Sequence, residues 1–98
     1  METEVIHEKD NERFIIYKED KESFIEYRLS KDEINLYHTY TDPGLRGKGL
    51  AAQVVRAAFE YAKENNLKVV PTCSYVQAFV RRYNEYDELV AGWTFISI

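Results

Sequence analysis

The run Asp42-Pro43-Gly44-Leu45-Arg46-Gly47-Lys48-Gly49-Leu50-Ala51-Ala52 holds the residues of this 98-residue sequence best suited to binding an anion. Three of the chain's four glycines fall here. Glycines between a strand and a helix let the backbone curl so that several N–H groups point at one place. The first turn of the helix adds N–H groups that have no intrahelical acceptor and carry partial positive charge. Such a turn is an anion site, most often for phosphate. Arg46 and Lys48 put two cations beside it. The same glycines also suit a plain strand-to-helix turn that needs positive φ. Spacing narrows the ligand. A Walker loop requires Gly, four residues, then Gly-Lys. Counted from Gly44, Gly49 is in place but Leu50 stands where the lysine belongs. Gly47 to Ala52 fits G-x-G-x-x-A. The acid that a dinucleotide fold places about 20 residues further on would then be Glu64, inside the predicted helix.

Cys73 and His38 are the other candidates for chemistry. A lone cysteine is commonly a small buried hydrophobe. It becomes a nucleophile when a cation, a helix N-terminus or a base favours the thiolate. Here a helix is predicted to start at about Tyr75, directly after Cys73, and His38 falls on the strand expected to lie alongside. Histidine on an apolar strand face is often a satisfied core residue; as a functional group it would be a general base for an amine or for Cys73. Arg81 and Arg82 on the second predicted helix read, from the residues alone, as a solvated face. One cysteine and two widely spaced histidines make no zinc signature.

The elements that must position these groups follow from hydrophobic periodicity. Arg13 to Lys18, Ser23 to Leu29 and Ile34 to Thr41 read as three strands joined by short polar turns, an antiparallel meander. On the third, strict alternation puts Ile34, Leu36, His38 and Tyr40 on one face and Asn35, Tyr37, Thr39 and Thr41 on the other. A helix is expected from about Gly49 to Asn65, with Leu50, Val54, Ala57, Ala58 and Tyr61 at helical spacing. Leu67 to Val70 is a short apolar strand, which a crossover of this length makes parallel to the third. Val76, Phe79, Val80 and Tyr83 mark the second helix, and Glu88 to Ile98 is apolar enough to pack back on the core. Residues 1–12 are mostly polar and read as a flexible segment with His7 in it, in which Val5 and Ile6 could pair briefly with a sheet edge; residues 13–98 are expected to form a single domain.

Net charge −4 and a sequence pI of about 5.2 argue against a partner held by phosphate neutralisation, so no nucleic acid is expected. No apolar run approaches the roughly 20 residues of a membrane span, and Met1-Glu2-Thr3-Glu4 lacks the basic and apolar regions of a signal peptide. One cysteine suits a reducing compartment. These features together describe a cytoplasmic protein, expected to be a monomer.

Arg46-x-x-Gly49-x-Ala51 also matches (Q/R)-x-x-G-x-(G/A), the pyrophosphate motif of the GNAT superfamily of acyl-CoA N-acyltransferases. Beyond the loop, Arg13-Phe14, Glu26-Tyr27, His38-Thr39, Val69-Val70-Pro71-x-Cys73-x-Tyr75-Val76, Arg81-Arg82 and Glu85-Tyr86 extend the likeness over roughly Arg13 to Val90. The chain resembles the very small single-domain GNAT-like proteins. That resemblance implies an α+β fold: a minimal GNAT-like arrangement in which the three-stranded meander, a helix, a parallel fourth strand in a splayed sheet and a second helix follow one another. There is no room for the helical pair that usually follows the first strand, nor for two full C-terminal strands. The resemblance also implies acetyl-CoA as cofactor and an acetyl transfer to a small-molecule or peptide amine, by direct attack or via Cys73. A non-catalytic acyl-CoA-binding module is the alternative. Backbone N–H groups of Leu45, Gly47, Lys48, Gly49, Leu50 and Ala51 would then hold the pyrophosphate, with Arg46 and Lys48 screening it. The carbonyls of Tyr40 and Thr41 would face the pantetheine amides, N–H groups near Thr39 would polarise the thioester carbonyl, and Arg82 and Tyr83 would touch the cofactor. Cys73 and His38 would be the catalytic pair. The family's usual leaving-group tyrosine follows an alanine by four residues; from Ala78 that position is Arg82, and Tyr83 is one residue late.

Overall fold

The computed structural model describes residues 4–91. Five strands, β1 (Ile6–Glu8), β2 (Arg13–Lys18), β3 (Lys21–Ser30), β4 (Glu33–Thr41) and β5 (Lys68–Val70), form one sheet in that order. β1 to β4 pair antiparallel and β5 runs parallel to β4, so the α+β expectation is met. Two helices, α1 (Leu50–Glu64) and α2 (Ser74–Arg82), pack on one face. Among the described residues the other face carries no helix. The β2–β3 hairpin closes on Glu19 and Asp20 at φ 55 and 63, the double positive φ that a two-residue I′ turn demands.

The core lies between the sheet and α1. Leu50, Val54, Val55, Ala58, Phe59 and Ala62 line the buried stripe of α1 and meet Phe14, Ile16, Ile25, Tyr27, Ile34 and Leu36. Phe59 stacks on Phe79 of α2 at 5.5 Å and on Tyr86 at 4.9 Å. Of the C-terminal segment, Glu88 and Leu89 end a short 3₁₀ stretch, and Val90 bridges to Val69 in parallel. Residues 92–98 lie outside the described part.

Two expectations change. Structure begins before Arg13: β1 pairs Ile6 with Ile15, His7 with Phe14 and Glu8 with Arg13. His7 is therefore not in a loose tail. Its ring stacks on Phe14 at 4.0 Å and meets the edge of Tyr61 at 4.7 Å, with Nε2 2.5 Å from the hydroxyl of Tyr27. Aromatic packing outweighs the polar composition of the segment.

The second change falls on β4. Glu26 pairs with His38, but Tyr27 pairs with Leu36, so Tyr37 is an extra residue with no counterpart on β3. A bulge of one residue exchanges the two faces of everything beyond it. Ile34 and Leu36 are buried in the core. Past the bulge, Thr39 and Thr41 sit opposite Ile25 and Ser23 on the helix side, while His38 and Tyr40 sit opposite Glu26 and Phe24 on the other side. The expected common face of Ile34, Leu36, His38 and Tyr40 is thus broken at Tyr37.

Candidate active site

The glycine loop is built by local hydrogen bonds. The carbonyl of Asp42 accepts the N–H of Leu45 at 2.8 Å and that of Pro43 accepts the N–H of Arg46 at 3.3 Å, closing a 3₁₀ turn over Pro43–Leu45. The Leu45 side chain is fully buried and pins the turn to the core. Its N–H is therefore committed, and Leu45 is not the phosphate donor the sequence suggested. Among the described residues, the N–H groups of Gly47, Lys48, Gly49, Leu50, Ala51 and Ala52 have no backbone acceptor. Gly47 and Gly49 are at φ 82 and 76, and a Cβ on either would meet nothing within 4 Å. The first turn of α1 carries no acid. Lys21 of β3 lies across Gly44, its Cε 2.6 Å from where a Cβ would be, and adds a cation that the sequence did not single out.

β4 and β5 pair from Glu33 and Lys68 to Asn35 and Val70 and no further. The N–H of Cys73 then bonds to the carbonyl of Leu36 at 3.0 Å, and beyond it β4 runs on to Thr41 with no strand partner on that side among the described residues. This is a splayed pair of parallel strands. A cavity of about 430 Å³ opens there, bringing together Thr39, Tyr40 and Thr41 of β4, Leu45, Arg46, Gly47 and Gly49 of the loop, Leu50 and Ala51 of α1, and Tyr75 of α2. Arg46 folds back so that its Nε donates to the carbonyl of Thr41 at 3.3 Å. The Thr41 hydroxyl is paired with the buried hydroxyl of Ser23 at 2.8 Å. A second cavity, of about 350 Å³, lies between α1 and α2 and holds the predicted Arg82 and Tyr83. Lys48 is exposed and lines neither.

Cys73 is half-buried at the N-terminus of α2. Burial raises its thiol, but the Thr39 hydroxyl, 3.5 Å from the sulfur, and the backbone N–H groups of Val76, Tyr75 and Thr39 favour the thiolate more, and the net shift is downward. No cap hydrogen bond forms from the side chain, so the α2 amides act as dipoles aimed at the sulfur. His38 is not its partner. The bulge puts His38 on the helix-free face, edge-on to Phe24 at 6.0 Å and beside Glu26. Among the described residues, no cluster of three or more His, Cys, Asp or Glu could hold a metal, and no helix is long and apolar enough to cross a membrane.

A profile described as GCN5-related N-acetyl-transferase matches residues 13–89. The chain belongs to that family. Its fold agrees: the NMR structure of a protein from Staphylococcus aureus described as GCN5-like superposes with a TM-score of 0.69, over 89% of this chain and 86% of that one, at 28% identity. Protein NATD1 of Xenopus tropicalis and that of Homo sapiens are each 35% identical over 48 residues. The match covers 49% of this chain and 44% and 42% of theirs, so the chain spans less than half the length of these curated relatives. Within this GCN5-related site, Tyr75, Ala52 and Lys21 are the residues that sequence reasoning passed over. Tyr75 had a signal, since it falls inside the Pro-x-Cys-x-Tyr-Val segment, and Ala52 follows the last motif residue directly.

Proposed function

We propose that the chain is an acetyltransferase that moves an acetyl group from acetyl-CoA to the amine of a small molecule or peptide. The observation that carries this is the set of N–H groups without a backbone acceptor at Gly47, Gly49, Leu50 and Ala51, residues that line a cavity continuing to Thr39. The residues fit the carrier: both glycines leave open the space a Cβ would fill, and Arg46 and Lys21 stand beside the loop. When bound, acetyl-CoA supplies the activated thioester. Gly47, Lys48, Gly49, Leu50, Ala51 and Ala52 hold the pyrophosphate by charge-assisted hydrogen bonds. The Tyr40 carbonyl receives a pantetheine amide, while the Thr41 carbonyl does so only when Arg46 turns toward the phosphates. The Thr39 N–H, which faces the Cys73 sulfur, polarises the thioester carbonyl. The same reading has the chain acting as a monomer in the cytoplasm, without nucleic acid.

Two routes use this geometry. In direct attack the amine nitrogen adds to the carbonyl carbon, the C–S bond breaks and the departing thiolate takes up a proton. In the other, the Cys73 thiolate adds to the carbonyl carbon, the C–S bond to CoA breaks and CoA leaves as a thiolate that takes up a proton; the amine then attacks the acetyl group on Sγ, gives up its own proton and releases the Cys73 thiolate. His38 activates Cys73 in neither, since it stands on the opposite face of the sheet.

One experiment tests function and route together. Protein is incubated with acetyl-CoA and a panel of amines, peptides and polyamines, and free CoA is followed alongside intact mass. CoA release that requires an acceptor supports the transferase, and tight binding with no turnover on any acceptor overturns it in favour of a binding module. An acetyl group on Cys73 that transfers to added amine assigns the cysteine route. Its absence, with Cys73→Ala keeping much of the rate, assigns direct attack.

A further inference from the structure

The helix-free face of the sheet has a closed half and an open half. Over β1 and β2, Ile15 is fully buried, yet it is not part of the core beneath the helices. Arg13 and Tyr17, two residues to either side of it, share its face and are tied together there. The Tyr17 hydroxyl donates to Glu8 at 2.6 Å and accepts from Arg13 Nη2 at 3.5 Å, and Arg13 Nε donates to Glu8 at 2.7 Å. Over β3 and β4 there is no such tie among the described residues. Phe24, His38 and Tyr40 form an aromatic row, with Phe24 tilted against Tyr40 at 5.5 Å and edge-on to His38 at 6.0 Å. His38 and Tyr40 are exposed. They flank Thr39, which lines the first cavity on the unpaired edge of β4. The row therefore leads to the same edge from the face opposite the helices. Glu26 stands at its far end, directly across from His38. Its cross-strand neighbour Arg13 is committed to Glu8, and Arg28 lies over Tyr37 at 5.5 Å. Half-buried Glu26 makes no ion pair or hydrogen bond among the described residues.

Resting on the transferase reading above, we propose that the acceptor lies along this row and that it is an aliphatic diamine. One nitrogen, uncharged, reaches the open edge of β4 at Thr39. The other is an ammonium held by Glu26, and the methylenes between them lie on Phe24 and Tyr40. Neighbouring strands are about 4.8 Å apart, so β3 and the far edge of β4 are separated by roughly 5–10 Å. An extended diamine with about four to six methylenes spans that range. The carboxylate supplies the charge complement to the ammonium, and the aromatic rings attract a cation where aliphatic ones would not. The attacking nitrogen releases its proton to water at the open edge before it reacts. The ammonium at the other end of the chain favours that loss, since two like charges at short range disfavour each other. A monoamine leaves Glu26 without a partner, and an acceptor that ends in a carboxylate is repelled by it.

The experiment measures CoA release at saturating acetyl-CoA with three acceptors of matched length: cadaverine, pentylamine and δ-aminovalerate. The wild type should favour cadaverine over pentylamine by about fivefold in kcat/KM, the upper range for a partly exposed ion pair. δ-Aminovalerate should be the poorest of the three. Glu26→Gln should bring the cadaverine-to-pentylamine ratio to about one by raising the KM for cadaverine. Glu26→Lys should reverse the order, placing δ-aminovalerate above cadaverine. Glu22→Gln should keep the wild-type ratio, because Glu22 is level with Asp42, past the end of β4. Equal use of cadaverine and pentylamine by the wild type overturns the diamine assignment and leaves the transferase reading standing. So does acetylation of a dibasic peptide with cadaverine inert. An equal loss with both amines in Glu26→Gln overturns it as well, because Glu26 would then support the sheet and not the acceptor. A wild type that releases CoA with no amine or peptide overturns the transferase reading and the diamine with it.

Discussion

Gly49→Asp separates folding from binding, because the structure assigns the two effects different sizes. Gly49 is at φ 76 and caps α1. Holding an L-residue there costs roughly 1–2 kcal/mol. Nothing lies within 4 Å of the added Cβ, so no clash is added. A carboxylate at a helix N-terminus returns about 0.3–1 kcal/mol from the dipole, and α1 has no other acid in its first turn to repel it. The net loss is about 1 kcal/mol, a fall in Tm of about 4–8 °C for a domain of this size. Binding suffers more. The carboxylate occupies the space between the N–H groups and repels the pyrophosphate. Losing two charge-assisted hydrogen bonds, at roughly 1.5–3 kcal/mol each, weakens acetyl-CoA by a factor of about 10²–10⁴. Gly49→Ala carries the same backbone strain without the dipole's return, so its melting temperature should fall at least as far and its affinity less. Differential scanning fluorimetry and calorimetric titration measure the two quantities. Unchanged acetyl-CoA affinity in Gly49→Asp would refute the phosphate cradle, and loss of the cooperative melt would show that the glycine serves the fold instead.

Other consequences can be measured as readily. Burial first, and Lys9 second, lower the pKa of His7 below its ordinary 6.5. The folded state then binds fewer protons than the unfolded chain, so this contribution is complete above pH 6.5 and is lost as pH falls from 6.5 through the lowered value. The Tm of His7→Gln should fall less between pH 7.5 and 5.5 than that of the wild type; equal slopes would remove His7 from the account. Glu8 belongs to a lower window. Hydrogen bonds from Tyr17, then Arg13 and Asn11, hold it at about 2, so its share is lost only as pH falls from 4.5 toward 2. Thr39→Val removes the hydroxyl beside Cys73 and should raise the thiol pKa, seen as slower alkylation by iodoacetamide at neutral pH; a faster reaction would contradict the hydrogen bond. Phe59→Ala takes a fully buried ring from between Phe79 and Tyr86 and should cost about 3–5 kcal/mol by urea denaturation. A loss below 1 kcal/mol would mean that the three rings do not pack as described.

What the sequence disclosed was local. The glycine loop, the meander and the parallel return all follow from patterns within a few residues, and each is found at its expected place. The bulge is different in kind. Ile34, Leu36, His38 and Tyr40 alternate without a fault, and nothing in β4 alone shows that β3 offers one residue fewer. The same blindness misplaced His38, whose face depends on a neighbour more than ten residues away. Leu45 could have been caught, because Asp followed by Pro opens a turn whose hydrogen bonds consume the next amides. His7 was hidden by its polar surroundings; its partners Tyr27 and Tyr61 come from β3 and α1. For Tyr75, the helical recurrence through Phe79 to Tyr83 was visible, but the gap left by Ala52 and Ala78 depends on how α1 and α2 approach each other.

The extra residue in β4 makes chain length, more than side-chain identity, the quantity on which Thr39 depends. Tyr37 is exposed, and its ring lies 5.5 Å from the guanidinium of Arg28, so many residue types could replace it. Removing it altogether would behave as a frameshift in space. Ile34 and Leu36 would stay where they are, while His38 and Tyr40 would turn inward and Thr39 and Thr41 outward. The Thr39–Cys73 and Ser23–Thr41 contacts would then be lost together, although no residue in either pair had been altered. A one-residue deletion between Leu36 and Thr39 is thus a more severe change than any single substitution there, and an alignment gap at that point would separate proteins that share this site from proteins that share only the fold.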